Sequence, residues 1–250
     1  MHLFQILILS VIEGLTEFLP ISSTAHLMIF SKLLSLEPTE FLKTFEIVIQ
    51  LGAISAVLFL YFKKIFSNFG LIKKIAIGFL PTGITGLFFY SLFKFWLGRI
   101  DLALAMLFIG GAFLVLLEKF FKEKNKTEIS LKDAFLIGCG QTLAMIPGVS
   151  RALATIISGM FLGYSRKTAV EFSFLLALPT MLGAVSLDLY KNYSLFSFSD
   201  WRILGLGFSL AFLSALFGVK FLLRLIQKNN FLAFGWYRMA FALLMFLIFF

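Results

Sequence analysis

The residues able to do chemistry crowd into one stretch, 13–26: Glu13-Gly14-Leu15-Thr16-Glu17-Phe18-Leu19-Pro20-Ile21-Ser22-Ser23-Thr24-Ala25-His26. Glu13 and Glu17 are four apart, so on a helix both carboxylates project from one face. His26 follows Ser22 by four and Ser23 by three, within reach of either hydroxyl. A second stretch, Pro147-Gly148-Val149-Ser150-Arg151, adds a guanidinium whose fork of donors suits phosphate oxygens. Two carboxylates repel a phosphate unless a cation lies between, and Mg²⁺ takes one or two carboxylates plus phosphate oxygens. A hydroxyl, a base and a phosphate clamp are the parts of nucleophilic phosphoryl transfer.

Each residue also has a plainer reading. Ser22, Ser23 and Thr24 serve equally as helix caps, and His26 as a satisfied interior histidine. Glu13 and Glu17 could pair with Arg151 in a structural network. Glu46, Gln50, Gln141 and Glu171 read as polar residues that bond helices together, and Arg238 as one that snorkels or pairs structurally. The conjunction favours a site, because caps need no carboxylates, histidine and arginine at one depth.

Those elements are membrane helices. Of 250 residues 60% are hydrophobic and 14% charged, with 34 phenylalanines, whereas soluble domains carry roughly 25% charge. Apolar runs predict spans over about 44–62, 75–93, 100–117, 168–187, 203–222 and 231–250, each near the ~20 residues that cross the hydrocarbon. The runs lack the two-residue alternation of an outer-membrane barrel. Residues 3–12 resemble a signal-peptide core only in length and hydropathy; with no Lys or Arg before them in this sequence and Glu13 following, a first membrane segment is the expectation. The formal charge of +9 sits in short loops; it sets topology and touches lipid headgroups, and no nucleic-acid partner is expected. Cys139 is the one cysteine, so no internal disulfide forms.

Pro147, Ser150 and Phe172 lie 127 residues after Pro20, Ser23 and Phe45. The shared offset suggests duplication, with chance alignment of apolar text as the alternative. One membrane domain, 1–250, would hold repeats at 1–123 and 128–250, with interrupted motifs at 13–27 and 138–160. If those motifs re-enter on one side, each half has one re-entrant helix pair and three spans. Three is odd, so the repeats are inverted. Loops at 63–74, 119–132, 166–167 and 220–228 hold fourteen Lys and Arg against six in the others. The positive-inside rule then puts both termini and the first motif outside. Proline followed by serine predicts a broken helix at each motif, and two facing N-termini make an anion site.

Residues 13–27 and 147–151 resemble the two signature motifs of the bacterial undecaprenyl-pyrophosphate phosphatases of the bacitracin-resistance type, and the similarity extends over nearly the whole chain. The resemblance implies an all-α integral membrane enzyme that removes the terminal phosphate of the C55 lipid carrier diphosphate, recycling it for peptidoglycan synthesis. It implies catalytic roles for Ser23, Glu17, His26 and Arg151, with Ser23 the proposed nucleophile. Ser22, Thr24, Ser150 and Arg151 would line the pyrophosphate site, and Glu13 and Glu17 would hold the metal, Mg²⁺ or Ca²⁺. The expected setting is the bacterial cytoplasmic membrane, with the site opening outward; partners are the polyprenyl diphosphate and membrane lipid, and monomer and homodimer both stay open. Whether His26 or Glu17 takes the proton, and whether Ser23 or water attacks, also stay open. A transporter or lipid flippase is the rival reading, since inverted repeats and a midplane anion site mark those too.

Overall fold

The computed structural model describes residues 2–89, 92, 95–96, 98–121, 126–192, 198–227 and 229–250; among them are ten α-helices and no strand. Four are short: α1 (Leu3–Thr16), α2 (Ser23–Leu33), α6 (Leu131–Gln141) and α7 (Arg151–Phe161). At 11 to 14 residues and 1.5 Å per residue, none covers the ~30 Å hydrocarbon. The others are α3 (Glu40–Phe66), α4 (Phe69–Phe88), α5 (Ile100–Phe120), α8 (Arg166–Asn192), α9 (Phe198–Leu225) and α10 (Leu232–Phe249). All six are long and apolar enough to cross a membrane, and the chain is a multi-pass membrane protein.

The helix ends depart from the apolar runs, because caps rather than hydropathy set them. Thr39 accepts from the Leu42 amide at 3.2 Å and starts α3 at Glu40 instead of 44. Asn68 likewise accepts from Leu71 at 3.0 Å and starts α4 at Phe69. At the other end α4 stops at Phe88, and residues 90, 91 and 93 of the expected span lie outside the described residues. Pro81 sits inside α4 without ending it.

α3 and α1 both lie against α9, α6 lies against α4 and α5 against α10, while α3, α4 and α7 also pack on α8. Small residues permit the closest approaches, as is usual between membrane helices. A Cβ on Gly111 of α5 would lie 2.7 Å from the Gly235 carbonyl of α10, and one on Gly138 of α6 2.0 Å from the Gly78 carbonyl of α4.

Polar residues fasten helices to one another, as read for Glu46, Gln141 and Glu171. Glu46 accepts from Ser31 at 2.8 Å, joining α3 to α2. Gln141 donates to Thr82 and Thr180 at 2.8 and 3.1 Å, joining α6 to α4 and α8. Lys64 meets Glu171 at 2.6 Å, and Arg166 meets Glu118 at 2.6 Å. At the start of α6, outside the six long helices, Asp133 accepts from Lys126 at 2.5 Å and from the Tyr164 hydroxyl at 2.6 Å.

Candidate active site

Both interrupted motifs break. α1 ends at Thr16, four residues before Pro20; α6 passes through a 3₁₀ turn, Thr142–Met145, before Pro147. Each chain then restarts from a serine cap: Ser22 accepts from the Ala25 amide at 3.4 Å and Ser150 from the Leu153 amide at 3.2 Å. Both caps have positive φ, 68° and 79°, a conformation few non-glycine residues adopt and one that costs about 1–3 kcal/mol. The caps correct the offset of 127. Ser22, not Ser23, is the positional equivalent of Ser150, because the second break is one residue longer. Ser23 and Arg151 therefore both stand first in their helices.

Three expected site residues meet directly. The Ser23 hydroxyl donates to Glu17 Oε2 in a short hydrogen bond. Arg151 Nη2 donates to Glu17 Oε1 at 3.0 Å, so one carboxylate joins the two motifs. From the other side, Arg151 Nη1 donates to the Ser173 carbonyl at 2.7 Å. The Thr155 hydroxyl donates to Ser173 Oγ at 2.6 Å behind it. Edge-to-face packing of Phe18 on Phe174, 5.2 Å between centroids, holds the first break against α8.

Glu13 lies one turn before Glu17, fully buried, and neither of its oxygens has a hydrogen-bond partner. An orphaned carboxylate beside the Glu17–Arg151 pair suits a divalent cation, whose other ligands would be substrate oxygens. No cluster of three or more His, Cys, Asp or Glu suited to a metal exists among the described residues.

His26 faces elsewhere. Its Nδ1 lies 2.8 Å from the Ser22 carbonyl and must carry the proton; its Nε2, 2.8 Å from the Tyr237 hydroxyl, accepts from it. Phe241 stacks on the ring at 4.6 Å. The reach to a serine hydroxyl read from spacing thus becomes a bond to a serine carbonyl. Thr24 is half-buried in the first turn of α2, and Ser150 serves as a cap.

Of the two readings of Arg238, the structural one fits: rather than snorkelling, it is fully buried in α10 and donates to five backbone carbonyls, among them Pro20 at 3.0 Å and Gly148 at 2.8 Å, with no carboxylate partner among the described residues. Ser173, Thr155, Tyr237 and Arg238 all went unread as site residues. Much of their bonding is to backbone, which leaves no mark in residue type; the lone arginine amid the apolar run of α10 was the one available signal.

Fold and site together define a polytopic helical membrane protein with a polar centre where two broken helices meet. Residues 6–244 match the family described as Bacitracin resistance protein BacA, and the chain belongs to that family. It is 49% identical to the undecaprenyl-diphosphatase of Sulfurihydrogenibium sp. (strain YO3AOP1), across 99% of both chains. Identity to the undecaprenyl-diphosphatase of Persephonella marina is 44%, over 99% of this chain and 100% of that one. With the Campylobacter jejuni (strain 81-176) protein of that name it is 45%, over 98% and 93%.

Proposed function

We propose that the protein hydrolyses undecaprenyl diphosphate to undecaprenyl phosphate and inorganic phosphate, returning the lipid carrier to cell-wall synthesis. The observation that carries this reading is the Ser23–Glu17–Arg151 contact, which joins a hydroxyl, a carboxylate and a guanidinium from two distant motifs. Family membership and the names of near full-length relatives support it.

In the reaction proposed, Ser23 Oγ attacks the terminal phosphorus and Glu17 takes its proton. The bond from phosphorus to the bridging oxygen breaks, and undecaprenyl phosphate leaves with the bridging oxygen. Glu17 passes that proton to the departing phosphate; water then attacks the phosphoserine, giving a proton to the freed carboxylate, which returns it to Ser23 Oγ as inorganic phosphate leaves. Direct attack by water, oriented by Ser23, is the variant. Arg151 and the N-terminal amides of α2 and α7 stabilise charge on the phosphoryl oxygens. Glu13 and Glu17 are the residues that would hold Mg²⁺ or Ca²⁺, and such an ion would neutralise charge on the diphosphate. His26, tied to Ser22 and Tyr237, shapes the first break rather than moving the proton.

We further infer one membrane domain built of inverted repeats, 1–123 and 128–250, each with a re-entrant pair and three spans. The reciprocal packing of α1 on α9 and α6 on α4, and the matching strained caps, support that arrangement. Loop charge supports an outward-opening site with both termini outside.

The test is phosphate release from undecaprenyl diphosphate by purified protein in detergent, with Mg²⁺, with Ca²⁺ and with EDTA. Release that depends on Glu17 and Ser23 is expected, and EDTA should abolish it. A protein that binds the lipid without releasing phosphate would favour the transporter reading instead.

A further inference from the structure

Arg238 belongs to neither motif, yet it touches both. A guanidinium has five N–H donors and no acceptor, and here every donor has its own carbonyl. Nε donates to Leu107 at 3.2 Å; Nη1 donates to Pro20 at 3.0 Å and Val149 at 3.3 Å; Nη2 donates to Met106 at 3.2 Å and Gly148 at 2.8 Å. Pro20 lies in the first break, Gly148 and Val149 in the second, and Met106 and Leu107 on α5. One side chain therefore spans both interruptions and anchors them to a long helix.

The surroundings are built for it. Gly110 on α5 leaves the guanidinium room, since a Cβ there would lie 2.3 Å from Nη2. A buried cation at membrane depth is costly unless its donors are satisfied, and among the described residues Arg238 has no carboxylate partner. Its carbonyl partners also orient the site. Across a trans peptide, C=O and the following N–H point opposite ways, so turning the Val149 carbonyl toward Arg238 turns the Ser150 amide away from it. The amides of Ile21 and Val149, which follow the other two break carbonyls, are used within their own turns. The same helix supplies Tyr237 and Phe241, which fix His26.

We propose that Arg238 is a positioning residue for phosphoryl transfer: its five hydrogen bonds fix the two breaks relative to each other and so hold Ser23 against Glu17 and Arg151. This rests on the assignment of those three as the reacting site.

The test compares Arg238→Lys, which keeps the charge but has one nitrogen, with Arg238→Met, which keeps neither charge nor donors. Phosphate release from undecaprenyl diphosphate is measured alongside circular dichroism and hydrogen exchange of the peptides containing the two breaks. In both folded variants kcat should fall about a hundredfold with KM little changed, the cost expected of an ångström-scale misplacement. Exchange should quicken at both breaks together. Lysine restoring kcat to within about threefold would reduce the role to charge and overturn the proposal; so would unchanged exchange at either break. Should Arg238→Met fail to fold, Gly110→Ala decides. It keeps the arginine but displaces its head, so folded protein with normal kcat and exchange would sink the idea. Failure of the site assignment reads differently, as an unsubstituted protein that releases no phosphate while exchange still responds to Arg238.

Discussion

Ser23 and Arg151 occupy the same place in two helices, first after a strained serine cap, and Glu17 bonds both. Each bond makes a prediction. Glu17→Gln should cost about 10² to 10⁴ in kcat if the carboxylate takes the proton, whereas His26→Asn, at a ring already committed to two partners, should cost far less. Equal losses would return the base to His26. Arg151→Lys should lose about 3 kcal/mol of transition-state stabilisation, because one ammonium cannot meet both Glu17 and Ser173 in fork geometry; kcat/KM measures it. Residue types and spacing alone point to Glu13, Glu17, Ser23 and Arg151 as a candidate group, and the last three meet in the fold. The same spacing misplaced the His26 ring, since helical spacing puts a serine hydroxyl and its carbonyl equally within reach. Arg238 reads in the sequence only as a residue that snorkels or pairs structurally, because a side chain that recognises backbone has no complementary residue to reveal its partners.

The two breaks depend on the residues between their helices. Gly148 has φ +92°, and a Cβ there would lie 2.2 Å from the Ala103 carbonyl of α5. Gly148→Ala is therefore both strained and blocked, and should push the second break off α5. Phosphate release should drop at least tenfold while helix content by circular dichroism persists. At the start of α6, the Lys126 ammonium and then the Tyr164 hydroxyl hold the Asp133 carboxyl down at about 2. A carboxyl lowered from its ordinary ~3.9 adds stability that is present above about pH 4 and lost as pH falls toward 2. Melting temperature should fall over that window in the parent and fall less in Asp133→Asn. Six apolar runs were plain in the sequence, but their ends were not, because single residues such as Thr39 and Asn68 fix them through one hydrogen bond each.

At the scale of the molecule, the packing of α1 on α9 and of α6 on α4 joins one short helix of each half to a long helix of the other, and sidedness is testable. In a Cys139→Ala background, Glu37→Cys should react with a membrane-impermeant thiol reagent from outside the cell. Thr127→Cys and Asn229→Cys should react only after permeabilisation. Labelling of all three from one face would refute the inverted arrangement. Hydropathy and loop charge carry that arrangement only as far as arithmetic; the contact of Glu17 with Arg151, 134 positions apart, shows that the two breaks meet and leaves their orientation to the labelling.

Every reacting group proposed here is translated by residue 151, yet the guanidinium that ties their loops arrives only with α10. On the proposed arrangement, a ribosome that stalls between the two would leave a membrane-inserted fragment holding Ser23, Glu17 and Arg151 but no brace, and the first turnover would wait until α10 has docked.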